Sequence, residues 1–406
     1  MALHKLTPLL SAALAAFDHE GRLKGPEHVI TGIQPPGHGL GPRYFLQGYG
    51  TRAFLRMNAN SYLGLHTDPR VMAAAEAATR RFGSGPGAVR FISGTFQPHV
   101  DLEHRLAAFH ARQAGMVYSA AYAAVLGILP LLLTEQTLVV SDALNHNCII
   151  NAIRLARPGY RAIYDHLNTT QLQTILEQYS GQARRAVVVT DGVFSMRGDY
   201  APLADIAAIC ERYQDAYAEG ILTVVDDSHG IGAFGARGRG TEEQTGARAD
   251  ILIGTLGKAL GVNGGYVVAS QPVIDYCRET APFYIYSNPL TPAEAAAAWQ
   301  ALAILDSDEG VALVRTVGDF ALMLRNGLQQ LGYETLRGEH PIVPLLVRDT
   351  ARTKMLVTQL FQKNILATGL AYPVVPRGDE EIRFQLSAAH TQQDIACVLD
   401  ALQALT

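Results

Sequence analysis

Val224-Val-Asp226-Asp-Ser-His229-Gly and, downstream, Asp250-Ile-Leu-Ile-Gly-Thr-Leu-Gly-Lys258 decide the fold of this chain. Each segment is a short apolar run, typical of a buried strand, that ends in polar residues. Similar runs alternate with helical patterns, and together they cover residues 137–141, 161–165, 186–190, 222–227 and 251–255. Continuous apolar runs between helices indicate a mostly parallel sheet covered on both faces, so we predict an α/β fold. Ligands bind such sheets beyond the carboxyl ends of the strands, where Asp226, His229 and Lys258 fall.

Helix signals and composition indicate how the chain is divided. Asp68 and Pro69 predict a helix that runs to Phe82, with the aspartate as cap and the proline in the first turn. A capping box at Thr291 opens an alanine-rich helix. The Gly/Pro-rich stretch at 32–43 predicts an extended arm or loop. We expect an N-terminal arm (1–55), a large domain (56–305) and a smaller C-terminal α/β domain (306–406).

The bulk composition excludes several classes of protein. The chain has 406 residues, is 48% hydrophobic and 17% charged, and carries a formal net charge of −4. Without a long basic run, neither nucleic acid nor a membrane surface is an expected partner. The four cysteines are far apart, which argues against a disulfide scaffold or a zinc ribbon and fits a cytoplasmic protein. The N-terminus lacks the features of a signal peptide.

The acid, the histidine and the lysine are the parts needed to hold and tune pyridoxal phosphate (PLP). Lys258 would hold the aldehyde as a Schiff base. Asp226 would pair with the pyridine nitrogen and keep it protonated, so that the ring acts as an electron sink. His229 would reach the ring hydroxyl. A metal would need a third ligand that the sequence does not nominate, so we predict no metal site. Taken alone, Lys258 could also be a solvated loop lysine.

The glycine-rich segments of the chain do not match either of two nucleotide-binding motifs. A P-loop would need a glycine and a hydroxyl where the chain has Leu252 and Ala259. The dinucleotide fingerprint fails at Gly83-Ser-Gly85-Pro-Gly87, which lacks the final glycine at the right spacing and has no strand before it. The sequence therefore disfavours an ATPase or a dehydrogenase.

Three further features have both a functional and a structural interpretation. His146 follows a strand, where its ring could stack on a flat cofactor or cap a helix. The small residues before Tyr122 mark a strand-to-helix turn, which suits a phosphate but also suits tight packing. Arg383 lies mid-strand in an apolar segment, where an arginine can grip a carboxylate or project from an edge strand.

Seven segments, in order and spacing, resemble the α-oxoamine synthases. They cover residues 58–65, 89–95, 191–196, 225–229, 254–261, 286–288 and 383–391. The resemblance implies a fold-type I PLP-dependent transferase, a homodimer with shared active sites, and a reaction between an acyl-CoA and a small amino acid. Within the family the motifs look closest to glycine C-acetyltransferase, also called 2-amino-3-ketobutyrate CoA ligase. The stretch after Lys258 is one residue shorter than in that branch, and the arm at 32–43 is not expected there.

The resemblance also implies a role for each matching residue. Catalysis would rest on Lys258, His146, Asp226 and His229. His146 would stack on the ring, and Ser195 would join His229 at the ring hydroxyl. The cofactor end would be lined by Ser119, Ala120, Ala121 and Tyr122. The phosphate would be held by Thr255 and, from the other subunit, Ser287. The amino-acid carboxylate would be held by Asn60 and Arg383.

The predicted reaction is acyl transfer to carbon. Lys258 would remove the Cα proton of glycine or another small amino acid, since a base must lie within hydrogen-bond reach of that proton. The carbanion would attack the thioester and release CoA, giving a 2-amino-3-keto acid or its decarboxylated amino ketone. Alternatives remain: a synthase with another donor or amino acid, resembling 8-amino-7-oxononanoate or 5-aminolevulinate synthase; a PLP aminotransferase or aldolase; and a non-catalytic relative.

Overall fold

The computed structural model describes residues 3–20, 22–23, 25–372 and 374–405. Its helices are α1 (Leu3–His19), α2 (Pro69–Phe82), α3 (Gln97–Phe109), α4 (Ala121–Leu132), α5 (Asn147–Ala156), α6 (Thr169–Gln178), α7 (Leu203–Tyr213), α8 (Thr241–Thr245), α9 (Gln271–Thr280), α10 (Pro282–Ile285), α11 (Pro292–Leu305), α12 (Asp308–Gln330), α13 (Thr350–Gln362) and α14 (Gln392–Gln403). The predicted caps are confirmed: the Asp68 side chain accepts the backbone N–H of Arg70 at the start of α2, and the Thr291 capping box opens α11.

The strands are β1 (Ile30–Gln34), β2 (Arg43–Leu46), β3 (Ala53–Arg56), β4 (Ala114–Tyr118), β5 (Thr137–Asp142), β6 (Tyr160–Tyr164), β7 (Arg185–Asp191), β8 (Ile221–Asp226), β9 (Ile251–Thr255), β10 (Gly265–Ala269), β11 (Glu334–Thr335), β12 (Ile342–Leu346), β13 (Ile365–Leu366), β14 (Thr368–Leu370) and β15 (Glu381–Gln385). The five runs predicted to be strands are β5, β6, β7, β8 and β9, each within one residue of its expected ends.

Seven of these strands form the central sheet, in the order β4-β10-β9-β8-β7-β5-β6. Neighbours from β9 to β6 pair in parallel, whereas β10 runs antiparallel to both β4 and β9. Successive valines of β7 enter opposite cores: Val188 packs in one apolar cluster, and Val187 and Val189 pack in the other. Helices cover both faces, which is why the strands are apolar on both sides. The predicted mostly parallel α/β fold is confirmed.

A second sheet lies near the C-terminus, in the order β11-β12-β15-β14, and it contacts α12 and α13. Ile382 and Phe384 of β15 enter its apolar core. Because strand side chains alternate, Glu381, Arg383 and Gln385 lie on the opposite face. That face is turned toward the central sheet, because the Arg383 side chain hydrogen-bonds residues that follow β7.

The N-terminal residues are tied to the C-terminal part of their own chain. β1, β2 and β3 form a sheet with β13, which pairs parallel to β3. β1 is largely exposed, as expected of an extended arm. Gly41, however, is buried and donates its N–H to Asp394, which also pairs with Arg43. The domain division at residues 55 and 305 stays a prediction. Among the described helices, none has the length and apolar character needed to cross a membrane.

Candidate active site

A cavity of about 250 Å³ lies at the carboxyl edge of the central sheet. Eight of the thirteen predicted site residues are in its wall: Ala121, Tyr122, His146, Ser195, Asp226, His229, Thr255 and Lys258. The wall is completed by Cys148, Asp191, Val193 and Ser228. Eight of the twelve wall residues were therefore predicted from the sequence.

Asp226 is the last residue of β8 and is buried. Its Oδ1 accepts the backbone N–H of Ser228 at 3.1 Å and the Ser228 hydroxyl at 2.5 Å. The Cys148 thiol approaches Oδ2 at 3.6 Å. Among the described residues, the Cys148 thiol is the one donor to Oδ2, and it is weak, so this oxygen can accept a stronger donor from the cavity.

His229 is oriented by a residue far away in the sequence. Its Nδ1 lies 2.8 Å from the Tyr62 hydroxyl, and its carbonyl accepts the Nε2–H of His340 at 2.8 Å. Burial, together with the nearby charge of Lys258, lowers the pKa of His229 well below its ordinary value, so the imidazole is neutral. With Nδ1 engaged by Tyr62, Nε2 is the nitrogen left for a ligand.

His146 caps a helix, which is one of the two roles predicted for it, and it also lines the cavity. Its Nδ1 accepts the backbone N–H of Cys148 at 3.3 Å, which caps α5. Its own backbone N–H donates to Asp191 Oδ2 at 3.0 Å. The Tyr122 ring meets the imidazole edge-on, with the centroids 6.2 Å apart. The ring is thus fixed in the wall, and its predicted stacking on a cofactor stays a prediction.

Lys258 lies on the turn that follows β9 and lines the cavity. The turn is closed by the N–H of Gly261 donating to the Lys258 carbonyl at 3.0 Å. Gly261 has φ 71°, and a Cβ there would come within 2.4 Å of the His66 nitrogen, so only glycine fits. Burial lowers the pKa of Lys258 to about 8, although Asp226 and Asp191 oppose this shift. About a tenth of the amine is therefore uncharged, and nucleophilic, at pH 7, a much larger share than for an ordinary lysine.

One end of the cavity suits a phosphate. The wall includes Ala121 and Tyr122, which open α4, and no side chain in the described part of the chain caps this helix. The N–H groups of a first helical turn have no partner within the helix and bind anions. Thr255 lies in the same wall, with its hydroxyl 3.1 Å from the Gly264 carbonyl. Ser119 and Ala120 directly precede the helix, outside the wall. Ser287 follows α10, and its role in the partner subunit stays a prediction.

The two residues predicted to bind a carboxylate lie next to the cavity. Arg383 donates through Nη1 to the Ser195 carbonyl at 2.8 Å, and its Nε is buried with no partner among the described residues. Because β15 pairs with both β12 and β14, Arg383 is not on an edge strand. The Asn60 side-chain oxygen accepts the Gln385 amide and lies 3.3 Å from the Tyr62 hydroxyl. Both residues are connected to the wall through hydrogen bonds.

Several wall residues were not predicted from the sequence, although one of them, Asp191, could have been. Asp191 ends β7 and is the register partner of Asp226 on β8, so the strand-end argument applies to both. Burial, with the Asp226 charge beside it, raises the pKa of Asp191 well above its ordinary value. Cys148 and Ser228 carry no comparable signal, because their contacts with Asp226 depend on how the loops fold.

The chain matches one protein family over most of its length. The model for aminotransferase class I and II matches residues 52–402. The 8-amino-7-oxononanoate synthase of Thermosipho melanesiensis is 38% identical over 352 residues, covering 86% of this chain and 87% of the relative. The Geobacter metallireducens enzyme of that name is 39% identical over 353 residues, with 86% and 88% covered. The chain belongs to this family, in its α-oxoamine synthase branch.

Solved structures agree with this placement. Sphingomonas wittichii serine palmitoyltransferase superposes with a TM-score of 0.88 at 26% identity and covers 100% of this chain and 98% of its own. A serine palmitoyltransferase from S. paucimobilis with a bound PLP–myriocin aldimine matches with a TM-score of 0.87 at 26% identity, covering 100% of this chain and 98% of its own. This α-oxoamine synthase is thus a PLP-dependent acyltransferase of fold-type I. Its cavity fits PLP, since it offers a lysine amine, a strand-end carboxylate and an uncapped helix N-terminus.

One expectation within the family is corrected. The comparisons do not support the placement next to glycine C-acetyltransferase; the relatives at 38% and 39% identity are 8-amino-7-oxononanoate synthases. The motifs that suggested that branch include residues 191–196 and 225–229, which contribute six of the twelve wall residues: Asp191, Val193 and Ser195 from the first motif, and Asp226, Ser228 and His229 from the second. Such motifs report on the cofactor chemistry that the family shares, and they say little about the acyl group.

Proposed function

We propose that this synthase condenses an acyl-CoA with a small amino acid at its Cα, and that the pair to test first is a dicarboxylic acyl donor and alanine. The name of the relatives supports this pair. The bond between carbons 7 and 8 of their named product divides it into two parts. One part is the acyl group of a dicarboxylic acid. The other is an aminoethyl group, which alanine supplies when its carboxyl leaves as CO₂. The observation that carries the PLP chemistry is that Lys258, Asp226 and His229 lie together in one cavity. Acyl transfer is supported by the 38% and 39% identity to the two synthases.

Different wall residues would bind different parts of the cofactor. Lys258 would hold PLP covalently, Asp226 would pair with its pyridine nitrogen, and His229 and Ser195 would contact its ring hydroxyl. The His146 ring would lie against its face. The first turn of α4 and Thr255 would hold the phosphate, helped by Ser287 of the second subunit. When bound, PLP supplies an electron sink for negative charge at Cα.

The remaining steps belong to residues of the chain and to the substrates. Arg383 and Asn60 hold the amino-acid carboxylate, which fixes the position of Cα. Lys258 Nζ, whose pKa burial lowers to about 8, takes the Cα proton. Cα then forms a bond with the thioester carbonyl carbon, the carbon–sulfur bond breaks, and CoA leaves as a thiol after it takes up a proton. Where the product loses its carboxyl, CO₂ leaves and a proton returns to Cα.

A second substrate pair has its own support. The Sphingomonas wittichii serine palmitoyltransferase structure covers 100% of this chain with a TM-score of 0.88, whereas a solved 8-amino-7-oxononanoate synthase from Francisella tularensis covers 87% with a TM-score of 0.73. Mass spectrometry of the products from alanine, glycine or serine, each with heptanedioyl-CoA, acetyl-CoA or palmitoyl-CoA, separates the candidates. We expect the amino ketone from alanine and heptanedioyl-CoA to form fastest. A dominant product from serine and palmitoyl-CoA would replace this pair with the second one.

We also infer that the synthase is a homodimer with shared active sites. Phe91, Ile92 and Tyr286 support this, because they are large apolar side chains that are 64%, 65% and 80% exposed in the single chain. Tyr286 directly precedes Ser287, the residue assigned to the partner's phosphate site. Burial of such side chains against a second copy would be favourable. A monomer in sedimentation velocity at micromolar concentration would remove this inference.

Arg383→Ala tests the carboxylate site. A hydrogen bond to a charged group contributes about 1.5–3 kcal/mol, so we expect the KM for the amino acid to rise about 10- to 100-fold. The KM for the acyl donor should change little. Steady-state kinetics with either substrate varied measures both. Arg377→Ala is the matched control, because Arg377 is exposed on the loop before β15. An unchanged amino-acid KM in Arg383→Ala would remove Arg383 from the site.

A further inference from the structure

His166 lies outside the cavity wall but touches two loops that carry wall residues. It follows β6, and its Nδ1 is 3.0 Å from Asp142 Oδ1. Its Nε2 is 3.2 Å from Asp199 Oδ2. A neutral imidazole has one N–H, whereas a carboxylate can only accept. Two carboxylate contacts, one at each ring nitrogen, are therefore the geometry of a protonated imidazolium.

The first carboxylate is that of Asp142, at the start of the loop that carries His146. Asp142 ends β5, and its Oδ1 also accepts the N–H of Leu144 at 2.8 Å. Its Oδ2 accepts the N–H of Leu167 at 3.0 Å. The Asp142 carbonyl accepts the N–H of Asn145 at 3.3 Å. Asp142 thus fixes both the turn that leads to His146 and the backbone beside His166.

The second carboxylate belongs to the loop 194–199, which carries Ser195. This loop is closed by the Phe194 N–H, which donates to the Asp199 carbonyl at 2.9 Å. The His166 ring also packs edge-on against the Phe194 ring, with the centroids 4.4 Å apart. Arg383 reaches the same loop at the Ser195 carbonyl. The loop therefore supports one wall residue and the arginine of the carboxylate site.

The charges around His166 favour its protonated form. Asp142 and Asp199 face the ring directly, and Arg197 pairs with Asp199 at 2.7 Å. Burial alone would lower the pKa of His166, but its hydrogen bonds to the Asp142 and Asp199 carboxylates, and their charges, raise it to about 9. Two further groups lie nearby: Tyr164, beside Asp142, and Glu381, which is close to Asp199 and Arg197 and has a pKa that burial raises to about 8. The imidazolium is thus the resident form at neutral pH.

We propose that His166 is a positioning residue whose imidazolium ties the His146 loop to the loop of Ser195 and Arg383. The proposal rests on the proposed function only where it assigns Arg383 to the amino acid. The pKa of His166 in the folded protein is raised to about 9. The stabilisation from this tie is therefore complete below pH 6.5 and is lost as the pH rises through about 9. Its loss frees both loops, so the cofactor and the amino acid bind more weakly.

His166→Gln tests the proposal with two readouts. The amide keeps polar contacts but has no charge, so we expect the PLP dissociation constant of the apo-protein, from an absorbance titration, to rise about tenfold. The amino-acid KM should rise similarly while kcat changes less. In the wild type this KM should climb between pH 8 and 10, and in His166→Gln it should be high and flat. His104→Gln is the control, because His104 is an exposed histidine on α3.

Asp199→Asn provides an independent test of the proposal if His166→Gln fails to fold. It removes the charge that faces Nε2, so the climb in KM should move to lower pH. PLP affinity does not depend on which substrates the synthase uses, so this readout decides the proposal even if the proposed substrates are wrong. Wild-type PLP affinity and a wild-type dependence of KM on pH in the folded variants would overturn it.

Discussion

Lys258→Ala should abolish acyl transfer, with a fall in kcat of at least about 10⁴-fold, the upper range for a single proton-transfer group. Two functions are lost together, because the same amine would hold the cofactor and take the Cα proton. The fold should survive. Burial lowers the pKa of Lys258 to about 8, so the buried amine is not a source of stability at neutral pH. Turnover with saturating PLP is the measurement.

Lys354→Ala is the matched control for this variant, since Lys354 is an exposed lysine on α13. Circular dichroism and thermal unfolding should agree between the two variants. Borohydride reduction followed by peptide mass mapping should place PLP on Lys258 in the wild type and in the control, and nowhere in Lys258→Ala. Full activity in Lys258→Ala would refute the assigned role of the lysine.

Asp226→Asn should lower kcat about 10²–10³-fold, the range for removing one group that stabilises charge in the transition state. The amide oxygen can still accept from Ser228, so the shape of the site is kept while the charge is lost. Without that charge the pyridine nitrogen should lose its proton at a lower pH. An absorbance titration of the bound cofactor follows this change independently of turnover.

Asp275→Asn, on the surface helix α9, is the control for this substitution. The neighbouring carboxylate makes the result informative in either direction. Asp191 is the register partner of Asp226, and its pKa is raised by burial. If Asp226→Asn kept near wild-type turnover and an unchanged cofactor titration, Asp191 would be the better candidate for the partner of the pyridine nitrogen.

The local pattern of the sequence was enough to predict the central sheet and the core of its site. Continuous apolar runs located β5 to β9, and the polar residues at the ends of β8 and β9 gave Asp226, His229 and Lys258. Asp191 was not predicted, although it ends β7 at the position equivalent to Asp226 on β8. These predictions succeed because strand ends in a parallel sheet meet at one edge.

Contacts between distant segments could not be predicted in this way. Tyr62 reaches His229, and β3 pairs with β13, across separations that no local period encodes. The tie through His166 likewise depends on three loops meeting in space. The choice of glycine C-acetyltransferase was not supported for a related reason: the motif residues that the structure brings together line the cofactor cavity, which does not distinguish one acyl group from another.

Acyl transfer can be followed directly by the free thiol that leaves the donor. PLP-loaded protein should release thiol from heptanedioyl-CoA only when alanine is present, and Lys258→Ala should release none. The same protein incubated with alanine and a keto acid should form no new amino acid. Thiol release that ignores the amino acid, or amino transfer to the keto acid without thiol release from any acyl-CoA, would contradict an acyltransferase built on this cavity.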